Sequence, residues 1–301
     1  MALIIVQDAN QHNVYGTRSI LSAVRKLLLV LILIVGVSAF AQFGGGPQGG
    51  VGRQNGGDTG GRCLVPGYFG DGTRDLPTPR DIDRSGFVYA RLRYHPASWW
   101  REGTREVPWH HDYPDGDTMF PATLERMTTA STNSESYQIV DIDSQELFQY
   151  PFVYLSEPGY LDLTPDDAAN LREYLDRGGF LLVDDFRGNR FDMSEFDNLV
   201  RQMRKVYPDR SIAPLAPDHE IFHTFFDINP ADMLPPYRMR NSGEPEFLGL
   251  SDPEGRLQVM VDFNNDMSEY WQALDVGQCS IREASMAVQL GVNYAIYAMT
   301  H

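Results

Sequence analysis

Residues 152–186 constrain the fold more than any other stretch. Phe152–Ser156 reads FVYLS, a short apolar run closed by Pro158-Gly159. Phe180–Val183 reads FLLV and runs straight into Asp184-Asp185. Strands this apolar are buried on both faces, which is the mark of a parallel sheet covered by helices. Between them lies a well-signalled helix. Thr164 is its N-cap, Pro165 takes the first helical position, and Asp166 and Asp167 sit where the dipole favours anions. Leu171, Tyr174 and Leu175 form its apolar stripe, and Gly178-Gly179 stops it.

The alternation extends through the chain. Phe87–Tyr94 (FVYARLRY) is a period-2 strand, and Asp117–Ala130 reads as a helix weakened by Pro121. Tyr137–Asp143 is a second strand. Ser194 opens a helix with Phe196, Leu199, Val200 and Met203 at helical spacing, followed by a short strand at Ser211–Leu215. Leu257–Phe263 is strand-like. Ser280 and Glu283 have the spacing of a capping box at the head of a last helix, 281–299, whose inner face is Met286, Leu290, Tyr294 and Tyr297. The expected fold is α/β, a doubly wound, mostly parallel sheet with helices on both faces. Its ligand site belongs beyond the carboxyl ends of the strands.

Residues 1–41 read as a signal peptide rather than fold. Arg18, Arg25 and Lys26 precede the apolar run Leu27–Val37, and Ala39 and Ala41 make a small–x–small site. Cleavage is expected after Ala41, giving a periplasmic or extracellular protein with no stable membrane span. The alternative is an uncleaved anchor in the inner membrane. The long stretch before Arg18 suggests a start downstream of Met1. Residues 42–85 form an expected flexible spacer, since ten of the 19 residues of Phe43–Gly61 are Gly. Residues 86–301 are then a single α/β domain. Cys63 and Cys279 are the two cysteines, and an oxidising compartment would permit their disulfide.

The formal net charge is −16, with 41 acidic against 25 basic residues. That balance disfavours nucleic acid and anionic lipid as partners, because both need a basic surface. An unidentified protein or a small polar ligand is the expected partner. No cofactor is expected.

Five stretches then agree in order and spacing: FVYARLRY, YPFVYLSEPGYLDLTPDDAANLREYLDRGGFLLVDDF, DHEIFHTFFDI, FNNDMSEYW and LGVNYAIYAMTH. Together they resemble the domain of unknown function 4159 family, from about Gly86 to His301. The resemblance implies a bacterial protein, exported or membrane-associated, with a fold similar to the flavodoxin-like, class I glutamine amidotransferase-like architecture. It implies no particular activity.

Amidotransferase chemistry needs a cysteine on a tight strand-to-helix turn. The matching strand ends in Val183-Asp184-Asp185-Phe186 and has none. His219-Glu220-Ile221-Phe222-His223 matches H-E-x-x-H, which binds zinc when it lies inside a helix. Pro214 and Pro217 before it and Pro230 after it leave room for only a short turn, so a zinc protease is not expected. His110-His111-Asp112, beside Trp99, Trp100 and Trp109, is a second cluster that metal or aromatic stacking would explain. His219, His223, His110 and His111 are weak metal candidates. Asp184 and Asp185 end a buried strand, with Arg187 and Arg190 nearby to pair them. Asn264-Asn265-Asp266 ends a later one, either as a turn or as oxygens offered to a hard cation or polyol.

Any ligand pocket is expected to be lined by Asp184, Asp185, His219, His223, Asn264 and Asp266. The leading expectation is a non-catalytic ligand- or protein-binding module on an amidotransferase-like scaffold. The alternative is a carboxylate- or metal-dependent hydrolase using the same strand-end cluster.

Overall fold

The computed structural model describes residues 84, 86–98, 107–236, 243–275, 277 and 279–301. The expected signal peptide with its cleavage point at Ala41, the expected spacer apart from Arg84, and Cys63, Trp99 and Trp100 all lie outside the described residues. Cys279 is disulfide-bonded.

The fold is α/β. Among the described residues seven strands make one sheet: β1 (Phe87–Arg93), β2 (Thr132–Asp141), β3 (Phe152–Ser156), β4 (Phe180–Asp184), β5 (Ala213–Pro214), β6 (Glu246–Ser251) and β7 (Leu257–Phe263). Their order is β2-β1-β3-β4-β7-β6-β5. The first five in that order are parallel, whereas β6 runs antiparallel to both β7 and β5. The sheet is therefore mixed. The expected sheet was mostly parallel, and its antiparallel part comes from β6, whose sequence EFLGLS has little strand signal. Gly249 sits at its centre because a Cβ there would collide with Leu257 and Leu215.

Among the described residues five α-helices cover the sheet: α1 (Asp115–Met127), α2 (Pro165–Asp176), α3 (Ser194–Val206), α4 (Met267–Gln272) and α5 (Ile281–Thr300). Alternate strand residues divide the core in two. Phe87, Tyr89, Phe152, Leu182 and Met260 pack with Phe120 of α1, Trp271 of α4 and Leu290 of α5. Val88, Val153, Leu181, Val183 and Val261 pack on the other face with Leu171 of α2 and Leu199 of α3. At about 25 cal/mol per Å² of apolar surface, burial on both faces is the main stabilising term.

Local signals explain most boundaries. Thr164 caps α2 in a closed box: its Oγ1 accepts from Asp167 N at 3.1 Å, and Asp167 Oδ2 accepts from Thr164 N at 2.8 Å. Helix α5 begins at Ile281 as expected, but the Ser280 side chain makes no cap bond, so the expected box is not closed. Helix α1 starts two residues before the expected Asp117 and stops at Met127. The period-2 pattern of β1 does not leave one face wet. Phe87–Leu92 is buried throughout, Arg91 included.

Candidate cation site at the carboxyl edge of the sheet

The carboxyl ends of the parallel strands carry an unusual backbone. Asp112, Glu157, Asp185 and Asn264 have φ between 53° and 58°, and they are the non-glycine residues with positive φ among the described residues. Glu157, Asp185 and Asn264 are the first residues past β3, β4 and β7. Left-handed backbone costs an ordinary L-residue roughly 1–2 kcal/mol, and Asp and Asn relieve part of that by local hydrogen bonding. The strain bends three strand ends sharply at one edge.

Arg91, on β1, holds the loop that reaches this edge. Its Nε and Nη2 donate to the two oxygens of Asp117 at 2.7 and 2.6 Å, and its Nη1 donates to the carbonyls of His111 (2.9 Å) and Trp109 (3.2 Å). The guanidinium lies 4.8 Å over the Tyr154 ring and is fully buried. This pair fixes His111 and Asp112 over the ends of β3 and β4.

Around His111 the contacts converge. Its Nδ1 meets Asp185 Oδ2 and lies 3.4 Å from Glu157 Oε1, while its Nε2 lies 3.8 Å from Asp112 Oδ1. With the Nδ1–H donated to Asp185, Nε2 faces Asp112: it carries the second N–H of an imidazolium in the cation-free protein, and offers a lone pair to a cation only once that proton leaves. These proton positions are assigned from the partners. Helix α4 supplies the opposite wall. Asp266 is its N-cap, with Oδ1 accepting from Glu269 N at 2.9 Å. Ser268 Oγ reaches Asp112 Oδ2 at 2.5 Å and Asp266 Oδ1 at 3.2 Å. Gln272 Nε2 donates to Asp112 Oδ1 at 2.8 Å and to Glu269 Oε2 at 2.5 Å. Two groups of metal-ligating atoms result, each spanning at most 4.8 Å: His111, Asp112 and Asp185, and Asp112, Asp266 and Glu269.

Five carboxylates (Asp112, Glu157, Asp185, Asp266 and Glu269) face His111 and Arg187. Arg187 bridges Asp185 (Nη1 to Oδ1, 3.1 Å) and Asp266 (Nη2 to Oδ2, 3.2 Å). Burial penalises Asp185, but His111 and Arg187 outweigh it and hold the carboxyl well below its usual range. Burial lowers the His111 imidazole, but Asp185 and Asp112 outweigh it and hold its pKa far above the ordinary value. The remaining acids go the other way. Burial and then Asp266 push Asp112 up to about 8, and burial and then Asp112 push Glu269 up to about 8. Burial and then Asp185 raise Glu157 to about 7 and drive Asp266 well up. Without a cation these four acids therefore hold on to protons to about neutral pH or above.

Of the six expected pocket residues, the structure brings Asp184, Asp185 and Asp266 together. Asn264 stands at the strand end as a brace, accepting from Gly188 N at 2.9 Å and donating to the Glu244 carbonyl at 3.1 Å. His219 and His223 do not reach the cluster. Their segment is a single 3-10 turn, Glu220–Phe222, with His219 as N-cap accepting from Ile221 N at 3.2 Å. His223 is bound to Asp227 at 2.7 Å and to the Pro217 carbonyl at 3.0 Å. The turn packs on the far end of α5, where Glu220 lies 3.6 Å from His301 and the Tyr297 hydroxyl accepts from Leu257 N at the start of β7. His110 turns away too, its Nε2 accepting from Val107 N at 3.1 Å. Arg190 stacks on Phe191 at 4.4 Å, whereas Arg187 pairs the acids as expected.

Sequence reasoning missed Arg91, Asp117, Glu157, Ser268, Glu269 and Gln272. A signal for α4 was present: Asp266 and Glu269 have the N-cap and N3 spacing of a helix start. A cleft of about 700 Å³ is lined by Gly188–Met193, Gly243, Glu246, Phe263 and Asn264; Gly188 follows Arg187 in sequence, but no acid of the cluster lines the cleft. Among the described residues no helix is long and apolar enough to cross a membrane.

The model of a family described as a domain of unknown function (DUF4159) matches residues 89–299. No curated protein matches the chain.

Proposed function

The chain belongs to the DUF4159 family, and we propose that it is an exported hydrolase dependent on a divalent cation held by His111 Nε2, Asp112, Asp266 and Glu269. One observation carries this reading: metal-ligating atoms of His111, Asp112 and Asp185, and of Asp112, Asp266 and Glu269, converge at one strand edge. A spacing of 3.8 Å between His111 Nε2 and Asp112 Oδ1 suits two ligands of one ion with bonds of ~2.1 Å. Asp185 behind Nδ1 is the carboxylate that orients a ligating imidazole. One imidazole with several carboxylates suits zinc or manganese.

The topology supports an amidotransferase-like, doubly wound scaffold. The parallel strands run β2-β1-β3-β4-β7, with α1 following β1 onto one face and α2 following β3 onto the other. The crevice of such a sheet lies where the connections diverge, between β1 and β3. His111 and Glu157 stand there. The cation would acidify a bound water. Glu157, raised to about 7 and partly exposed, suits proton transfer near neutral pH. Three ligating carboxylates outweigh one divalent charge, so the scissile group is neutral: an ester, amide or glycoside.

Calorimetric titration of the chelator-treated protein with Zn²⁺ and Mn²⁺ tests the reading, followed by assays on neutral esters, amides and glycosides. Binding abolished by Glu269→Gln, with cation-dependent turnover, is expected. Absence of binding to the wild type sinks it. The second reading, a non-catalytic binding module, draws on Ser268, Gln272 and Arg187, which already brace the acids. Tight cation binding without turnover on any substrate would favour it.

A further inference from the structure

A second polar feature lies one layer below that edge and does not depend on the reading above. In the parallel pair β4–β7, Leu182 stands beside Met260 and Val183 beside Val261. One step further come Asp184 and Asp262, side by side on the face of Leu182 and Met260, beneath α4 and α5. Both are fully buried. One oxygen of each is satisfied. Asp184 Oδ2 accepts from Met267 N (2.7 Å), Tyr154 OH (3.0 Å) and Ser268 N (3.2 Å), and Asp262 Oδ1 accepts from Tyr294 OH at 3.1 Å. The other oxygens, Asp184 Oδ1 and Asp262 Oδ2, accept no hydrogen bond. Neither does Oδ1 of Asn265, two residues past β7 and buried; its amide nitrogen donates to Met267 Sδ at 3.5 Å, and the amide of that same Met267 donates to Asp184.

Buried polar oxygens without partners are rare in folded proteins, and each one calls for a ligand, a proton or water. Three of them lie at or just past the ends of two adjacent strands: Asp184 closes β4, Asp262 is the last residue but one of β7, and Asn265 comes two residues beyond that strand. Protons alone do not resolve this. A proton shared between Asp184 Oδ1 and Asp262 Oδ2 would leave one buried negative charge and the Asn265 oxygen unsatisfied. A proton on each would leave two donors facing each other. A divalent ion satisfies all three oxygens and cancels both charges.

We propose that Asp184 Oδ1, Asp262 Oδ2 and Asn265 Oδ1 form an interior site for a hard divalent cation, Ca²⁺. The donor set is wholly oxygen, carboxylate with amide carbonyl, which is the Ca²⁺ preference, and Ca²⁺ tolerates irregular geometry better than Mg²⁺. The outer edge offers an imidazole and so takes a softer ion. The two sites differ in chemistry and are separable by mutation.

The test uses the full chain, stripped with a chelator and titrated with Ca²⁺, with elemental analysis after desalting and thermal unfolding as readouts. The wild type is expected to retain about one Ca²⁺ and to melt several degrees higher with it, by mass action on the folded state. Asp262→Asn is expected to lose that Ca²⁺ and the shift while still binding Zn²⁺ or Mn²⁺. Glu269→Gln is expected to keep the Ca²⁺ response and lose the other. Should Asp262→Asn not fold, Asn265→Ala serves, with Ca²⁺ affinity lowered at least about tenfold. A wild type indifferent to Ca²⁺, or an Asp262→Asn protein more stable than the wild type with Ca²⁺, would overturn the proposal in favour of a shared proton. Loss of Zn²⁺ binding in the wild type alone would overturn only the outer site.

Discussion

Among the described residues, two regions that combine histidine with carboxylates differ: one spends its imidazoles locally, and the other gathers acids from across the fold. At His219–His223 each imidazole is spent on its own turn: one caps it, and the other lies between Asp227 and the Pro217 carbonyl. At His111–Asp112 the imidazole joins acids from the ends of β3 and β4 and from α4. The first region matches a metal motif in sequence and builds nothing. The second matches none and gathers ligands from residues 111 to 269. A motif reports local spacing, whereas a site needs convergence across the fold.

The largest effect expected from breaking this contrast is on stability. Arg91→Ala strands Asp117 in the interior and frees the His111 loop, at a cost of about 3–5 kcal/mol. Denaturant unfolding measures it, and a loss below about 1 kcal/mol would mean that the buried pair does not hold the edge together. Next comes cation affinity. Asp112→Asn should weaken Zn²⁺ or Mn²⁺ binding by at least about 100-fold, and Asp185→Asn, acting behind His111, by roughly 10–100-fold. Equal affinities by calorimetry would dissolve the ligand assignment.

A smaller effect concerns pH. Burial pushes Asp112, Asp262 and Glu269 up to about 8 in the folded chain, against about 4 when unfolded. Below about pH 4 both states hold these protons and the folded state keeps its full advantage. Between about 4 and 8 the unfolded chain has released protons that the folded chain still holds, so stability falls as pH rises. His111, raised, adds the same sign above its unfolded value. The cation-free protein should melt several degrees lower at about pH 8.5 than at about pH 5, with Asp262→Asn flattening the slope. A melting temperature that rises over this range would refute the burial argument. The smallest effect belongs to the other region: His223→Ala should leave melting and cation binding unchanged, and any loss of Zn²⁺ binding would restore the H-E-x-x-H reading.

Elements were legible where their causes are local. The α2 cap at Thr164, the β7 span Leu257–Phe263 and the start of α5 follow from residues within a few positions of each other. Strand β6 was not, because its stability comes from pairing with β7 and from the close packing that Gly249 permits. The site divides the same way. Asp184, Asp185 and Asp266 could be placed because apolar strands run into them. Glu157 and Glu269 could not, because nothing in their neighbourhood tells that a left-handed turn after β3 and a six-residue helix after β7 bring them to the same edge.

By itself, then, the chain's pattern of apolar runs and caps determined an α/β sheet with its polar residues at the carboxyl ends, since burial and capping act through neighbours in sequence. Only the tertiary structure decided which histidine met those acids. His111 and His223 are alike as sequence. They differ because Arg91 and Asp117 form a buried pair that carries one loop over the ends of β3 and β4, while Asn293 of α5 holds the other segment elsewhere by accepting from Phe225 N and Phe226 N. Contacts so distant along the chain are set by packing geometry, which no local spacing encodes.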